Sequence, residues 1–272
     1  MKTVKNASAY LIGIMATIFA IIPFLWMIST SLKPQNEIFK FPPEWIPSNV
    51  TLQSFHRVWE TMPFDRYLLN TFIVTGTILA GTLIFASIAA YSFARLRYPG
   101  RDKLFFLLLA SMMIPKIVTM IPIYIMMKQF GLIDTYAAII LPSLFAEAYE
   151  VFLLRQFFIT IPGEMEESAK IDGAGVVRTF LTIIVPISKP IFATLTVLTV
   201  VKQWNNFLWP LIVTSSETKY LLSIGLANLN GQNTSDWAGI MAASFIALIP
   251  ILAIFAVAQK YFVESIQLTG LK

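Results

Sequence analysis

A chain of 272 residues with 57% hydrophobic and only 13% charged side chains is poor in solvating charge. A soluble domain carries about 25% charged residues, so a large soluble fold is excluded by composition and by apolar runs of the ~20 residues that cross a bilayer. The absence of cysteine excludes disulfides, thiolate chemistry and cysteine-held metal, and His56 is the only histidine, so no metal site is expected. The net charge of +5 does not point to nucleic acid, because most basic residues flank apolar runs.

The first nine residues are short and basic, with Lys2 and Lys5. Residues 10–31 follow as the first predicted span. They are too long for the apolar core of a signal peptide, and no small-x-small cleavage site follows. Pro23 sits inside this run, which a membrane helix tolerates when neighbours satisfy the freed carbonyl. Residues 33–67 are polar, with five prolines, Trp45 and Trp59, and read as a first extracytoplasmic loop whose aromatics rest at the interface. The domain reading is an N-terminal span and loop over 1–67, a transmembrane domain over 68–262 and a tail over 263–272.

Span two covers 68–93 and is rich in Thr, Gly and Ala, residue types that permit close helix contact in lipid. It ends in the basic turn Arg95-Leu96-Arg97-Tyr98-Pro99-Gly100-Arg101. Span three covers 104–127, with Pro115, Lys116 and Pro122; span four covers 136–157, with Pro142, Glu147 and Glu150. Span five covers 182–201, with Pro186 and Pro190 near its start, and span six covers 237–258. Lys116 inside an apolar run either lines a pathway or snorkels from a span end. Glu147 and Glu150 are spaced i,i+3 and meet either a structural partner, with Arg155 the nearest candidate, or a ligand. Lysine and arginine placement gives an N-in, C-in orientation. That orientation leaves the 214–236 loop outside.

The longest polar interruption of the second half runs from Glu164 to Pro190 and falls on the cytoplasmic side by that orientation. It reads as a short helix, a turn and a second helix. Pro162 suits a first helical position, and Glu164, Glu166 and Glu167 place negative charge where the helix dipole favours it. Glu166 and Lys170 stand i,i+4 as a surface pair, and Gly173 is a left-handed stop before a restart near Val176. A short charged helix at a membrane face has little core of its own to bury, so it reads as a docking element.

Glu167-Ser168-Ala169-Lys170-Ile171-Asp172-Gly173-Ala174, followed by Ile183-x-Val185-Pro186, resembles the EAA loop of ABC importer permeases, with Ser168 and Val185 as small departures. Asn70-Thr71, the run 89–95, the segments 114–124 and 131–135, and Trp204-Asn205-Asn206-Phe207-Leu208-Trp209-Pro210-Leu211 resemble further segments of carbohydrate-importer permeases. The likeness is to the maltose-type second permease, which lacks a large extra domain.

The resemblance implies an all-α membrane protein of the type I importer class, with six spans and a coupling helix in the loop at 162–186, between spans four and five. Glu167, Ser168, Ala169, Ile171, Asp172, Gly173, Ala174 and Pro186 would couple to an ATPase, with Ala169 and Ala174 letting the helix seat closely. Asn228, Asn230, Gly231 and Gln232 in the outer loop would meet a solute-binding protein. Lys116, Tyr124 and Asn205 are the pathway candidates. The implied partners are a second permease, two ABC ATPase subunits, an extracytoplasmic solute-binding protein and the lipid of a prokaryotic cytoplasmic membrane. ATP and Mg would sit on the ATPases, and this chain would bind no cofactor and catalyse no reaction itself; it carries no G-x-x-x-x-G-K-[ST] phosphate loop. The competing reading is a secondary, ion-coupled transporter using its intramembrane acids.

Overall fold

The computed structural model describes residues 2–229 and 236–269. Their regular structure is helical throughout. In chain order the helices are α1 (Lys2–Ser31), α2 (Gln53–Thr61), α3 (Phe64–Arg95), α4 (Arg101–Ser111), α5 (Lys116–Gln129), α6 (Tyr136–Leu144) and α7 (Ala148–Thr160). There follow α8 (Glu164–Ile171), α9 (Val176–Thr179), a π-helical turn (Phe180–Ile184), α10 (Val185–Ile187), α11 (Lys189–Trp204), α12 (Leu208–Val213), α13 (Leu222–Leu229) and α14 (Trp237–Thr269).

Four of these stretches are long and apolar enough to cross a membrane: Tyr10–Ser31, Phe64–Arg95, Tyr136–Thr160 and Trp237–Lys260. The first buries none of its most apolar window within the chain. Phe19 there is 80% exposed, which an aqueous protein does not sustain over so long a run.

The apolar runs predicted as single spans three and five are each two helices. Arg101–Ser111 and Lys116–Gln129 meet at 97°, and Val176–Ile187 and Lys189–Trp204 at 76°. The first break falls at Pro115, which stands before Lys116 in an extended conformation (φ −61°, ψ 131°); its ring disfavours a helical residue ahead of it. The second lies at Ser188, between Pro186 and Pro190. Span four is interrupted as well, at Phe145–Glu147 between α6 and α7. The chain separates into two compact units, Met1–Leu68 with Leu222–Pro250, and Leu69–Leu221 with Ile251–Lys272.

In the first unit, the end of α1 is fastened to the loop behind it. Ser29 donates to the carbonyl of Trp45 at 2.6 Å, the Lys33 ammonium donates to the Glu44 carbonyl, and the Trp26 and Trp45 rings meet edge to face at 5.1 Å. Burial lowers the pKa of Lys33, against the opposing pull of Glu44 and Glu37. Phe64 and Tyr67 pack in the same unit as α13, where a Cβ added at Gly225 would stand 2.5 Å from the Tyr67 ring. Arg57 and Asp236 form an ion pair at 3.1 Å.

In the second unit, α3 is the helix on which two cores are built. Ala86, Ala90 and Tyr91 pack with Val151, Leu154 and Phe158 of α7 and with Phe180, Ile184 and Leu195. Val74 and Ile78 pack with Met127, Ala138, Ile139, Trp209 and Val213. Between the two cores, a Cβ on Gly81 would lie 2.5 Å from the Leu144 carbonyl oxygen, so only glycine allows the approach. Asn70 is buried with both amide ends used: it donates to the carbonyls of Thr218 and Tyr220 and accepts from the Tyr136 hydroxyl at 2.7 Å.

Two further contacts explain how the helix ends stay satisfied. Pro142 inside α6 has no N–H, so the carbonyl of Ala138, four residues earlier, loses its helical donor. The Trp209 indole N–H supplies one at 3.0 Å. Asp134 sits in the left-handed region at φ 61°, with its N–H on the Val213 carbonyl and its carboxylate accepting from the backbone N–H groups of Ser215 and Ser216 and from the Ser216 hydroxyl.

Trp209→Phe keeps the ring and removes the donor, leaving a buried carbonyl unpaired; the expected cost is about 1–3 kcal/mol, read as a lowered melting temperature in detergent. For Asp134, the Ser216 hydroxyl first, then the two backbone N–H groups, hold the carboxyl below its ordinary pKa. A depressed folded pKa adds stability that is fully present above the unfolded carboxyl value of about 3.9 and is lost as pH falls through the folded value. Asp134→Asn is therefore expected to flatten the acid limb of the stability–pH curve, measured by thermal melts below about pH 5.

Candidate functional site: the α8 element and a charged cluster at the helix breaks

The predicted short helix is α8, eight residues from Glu164 to Ile171. Pro162 is not its first residue. The helix starts two positions later, where the Gly163 carbonyl accepts from the N–H groups of Glu166 and Glu167 at 3.0 Å each. At the other end Gly173 adopts φ 77°. Its N–H bonds the Lys170 carbonyl at 3.0 Å, and the Ala174 N–H bonds the Ala169 carbonyl at 2.9 Å. That pair of bonds is the Schellman arrangement, which needs a residue free to be left-handed. The chain restarts at Val176, as the sequence reading expects.

An isolated helix of eight residues is not stable in water, so α8 depends on what holds it. Glu166 and Ala169, three residues apart, are its buried positions. Glu166 is not paired with Lys170: its carboxylate stands 2.9 Å from Nε of Arg95, at the end of α3. The same guanidinium donates to the carbonyl of Ile161, just ahead of α8. Arg155 adds a second tie, donating to the Phe93 carbonyl at 3.2 Å with its guanidinium 4.0 Å from the Phe105 ring centroid. Arg95 and Glu166 were legible only as a topological charge and a surface pair; their burial against each other has no local pattern.

The opposite face is open. Glu167, Ser168, Ile171, Asp172 and Gly173 are exposed and Ala174 is half-buried. Ile171 is 86% exposed and Val177 70%, large apolar side chains without cover on a charged element. Ala169 departs from the expected role: it is buried within this chain, so its small size serves packing here rather than an outward seat. Pro186 lies in α10, exposed, beyond α9 and the π-helical turn.

The second constellation gathers at the helix breaks. Glu147 stands at the N-cap position of α7 without a side-chain capping bond, Glu150 is in its first turn, Lys116 opens α5 and Lys202 is in the last turn of α11. Lys116 pairs with Glu147 at 2.6 Å, and Lys202 pairs with Glu147 at 2.7 Å and Glu150 at 3.2 Å. The partner of the two acids is therefore Lys202, with Lys116, and not Arg155. Arg155 is a full helical turn further along α7 and is engaged by Phe93 and Phe105. Of the other pathway candidates, Asn205 follows α11, exposed, with its amide on the Val201 carbonyl at 2.8 Å. Tyr124 instead packs against the core around Val74 and Trp209. Asn228 is exposed on α13, whereas Asn230, Gly231 and Gln232 lie outside the described residues.

Glu166→Ala is expected to raise amide hydrogen exchange across α8 by roughly tenfold or more, since removing one partner of a buried pair costs a few kcal/mol. Glu167→Ala, on the open face, is expected to leave α8 exchange unchanged.

The family model of the binding-protein-dependent transport system inner membrane component matches residues 82–267. The chain is 32% identical to the melibiose/raffinose/stachyose import permease protein MelC of Bacillus subtilis (strain 168), with all of both chains covered. It is 30% identical to the sn-glycerol-3-phosphate transport system permease protein UgpE of Escherichia coli (strain K12), over 97% of this chain and 95% of that one. Among solved structures, a chain of a bacterial ABC transporter involved in the import of the acidic polysaccharide alginate superposes with a TM-score of 0.82 at 26% identity, covering 96% of this chain and 97% of that one. A chain of the bacterial alginate ABC transporter in complex with alginate pentasaccharide-bound periplasmic protein superposes at 0.66 with 16% identity, over 94% of each, a likeness of fold. The chain belongs to the inner membrane components of binding-protein-dependent transport systems, the permease subunits of ABC transporters.

Proposed function

We propose that this chain is one of two transmembrane subunits of an ATP-driven importer that moves a saccharide inward by alternating access. It crosses the membrane six times with both termini in the cytoplasm, each bent helix pair counting as one span. The observation that carries the reading is the division of α8 into two faces. Glu166 is clamped inward by Arg95, while Glu167, Ser168, Asp172 and an uncovered Ile171 look outward. An apolar side chain 86% exposed on a charged cytoplasmic helix fits an interaction surface. In this reading it seats in a cleft of a partner ATPase, which holds the ATP and Mg.

Closing of two ATPases would then draw α8, and through Arg95 the end of α3, along with it. The result is a population shift between inward- and outward-open states rather than a covalent reaction. The saccharide assignment is supported by the melibiose, raffinose and stachyose of the MelC relative and the alginate of the structural relative, while the UgpE relative serves sn-glycerol-3-phosphate transport. A binding protein outside, docking near Asn228 and the 230–232 segment, and a second permease complete the assembly. The ion-coupled alternative is disfavoured by the pairing of Glu147 and Glu150 with lysines, because carboxylates held in ion pairs are poor carriers of a proton or cation.

The test is ATP hydrolysis by the purified assembly in nanodiscs. Glu167→Ala and Gly173→Val are expected to leave the subunit inserted but to cut binding-protein-stimulated hydrolysis roughly tenfold, within the range of a typical coupling free energy. The glycine change acts through its φ of 77°, which a β-branched residue rejects. Unaltered hydrolysis in both variants, or purification without an ATPase, would remove the reading.

A further inference from the structure

Lys116, Glu147, Glu150 and Lys202 occupy an odd place for four charges. Glu147 is near the middle of the apolar stretch Tyr136–Thr160, at its interruption, and the two lysines come from the two sharply bent helix pairs. Ion pairing alone does not require the arrangement to be open, yet the Lys116 side chain is 69% exposed, that of Lys202 37% and that of Glu147 30%. Nor does helix chemistry explain Lys116, because a cation at the first position of α5 meets the unfavourable end of the dipole. Charges this exposed at membrane depth are costly against hydrocarbon, so their face is turned away from lipid. Glu150, by contrast, is enclosed. Glu150 is 4% exposed, and its Oε2 is buried with no hydrogen-bond donor among the described residues, although Oε1 faces Lys202.

We infer that this cluster is a solute-contacting constriction of the permeation pathway on this chain, built for a neutral polyhydroxylated molecule. The inference rests on the importer reading above and extends it to a site. Two ammonium groups and two carboxylates sum to no net charge. An anionic solute would meet Glu147 as closely as Lys116 or Lys202, while hydroxyl groups, which both donate and accept, are matched by both partners. Phe145 and Tyr149 flank Glu147 and are 58% and 45% exposed, giving the few polar groups the aromatic surroundings usual for a small-molecule site. The apolar face of a sugar ring stacks on such rings.

The chain has no cysteine, so a single introduced thiol reports without background in this subunit. Ala146→Cys, between Phe145 and Glu147, is placed in the reconstituted assembly and treated with membrane-impermeant methanethiosulfonates, one anionic (sulfonatoethyl) and one cationic (trimethylammonioethyl). Labelling is read by the intact mass of the subunit. Tyr149→Cys serves if the first variant fails to assemble. Both reagents are expected to label, and at least one of glucose, raffinose or stachyose is expected to slow them by roughly fivefold or more, galacturonate having no effect. Adding Glu147→Gln is expected to shift the ratio of anionic to cationic labelling roughly tenfold toward the anionic reagent, and Lys202→Gln the opposite way. Thiols that stay unlabelled while ATP hydrolysis remains coupled would overturn the site and leave the importer reading intact. Labelling slowed only by galacturonate, or by none of the probes, would overturn the ligand class. Loss of the ATPase from the unaltered assembly would instead strike the importer reading.

Discussion

A bilayer offers no partner to a free amide or carbonyl, and that constraint organises the described chain. One such released group has a visible partner within the chain. Pro142 frees the Ala138 carbonyl, and the Trp209 indole collects it. Pro115, Pro186 and Pro190 mark the two sharp bends, and the charged groups lie at helix ends: Lys116 at the first bend, Glu147 and Glu150 at the start of α7 and Lys202 in the last turn of α11. Charge and irregular backbone are thus concentrated in the same places. Each is tolerable there only because of the other: helix ends supply dipoles that favour Glu147, Glu150 and Lys202, and the lysines neutralise the acids.

Within the second unit, α3 links polar ties that lie far apart along one helix. At Asn70 its side chain holds the backbone of Thr218 and Tyr220, and at Arg95 it holds Glu166 and the Ile161 carbonyl. Twenty-five residues of helix separate them, roughly 37 Å at the standard rise. Between the ties the packing is unusually close, with glycine at 81 and alanines at 86 and 90 fully buried or in backbone contact. A helix so packed transmits displacement along its axis better than it absorbs it. That is the mechanical property a subunit needs if work is to arrive at one face of a membrane and be used at the other.

Much of this was legible in the sequence. Apolar run lengths marked the membrane helices, because a bilayer's thickness is a hard constraint on composition. Gly173 and the Val176 restart were readable because a left-handed stop has few acceptable residues. Pro115 and Pro186 marked places where a helix could bend, but neither the angle nor the group that takes up a freed carbonyl was readable, and Trp209 is 71 residues from Ala138. The charge pairs failed for the same reason. Local spacing offered Lys170 to Glu166 and Arg155 to the acids at 147 and 150, yet the partners are Arg95, Lys116 and Lys202, from other helices. An i,i+4 surface pair contributes only about 0.2–0.5 kcal/mol, too little to hold a carboxylate from a better partner.

The Glu166 and Glu167 neighbours show why this distinction matters for function. They are adjacent in sequence and identical in chemistry, but a helix turns 100° between them, so one carboxylate is buried against Arg95 and the other is open. A surface that must dock and release has to present its groups freely, and a short helix that must bear a load has to be anchored. Eight residues cannot do both with a hydrophobic core. The clamp at Arg95 provides the anchor without using the outward face, which leaves Glu167 and Ile171 available to a partner. On the coupling reading proposed above, docking strength and anchoring strength would vary independently, and a force applied at the open face would pass into α3 rather than unwind α8.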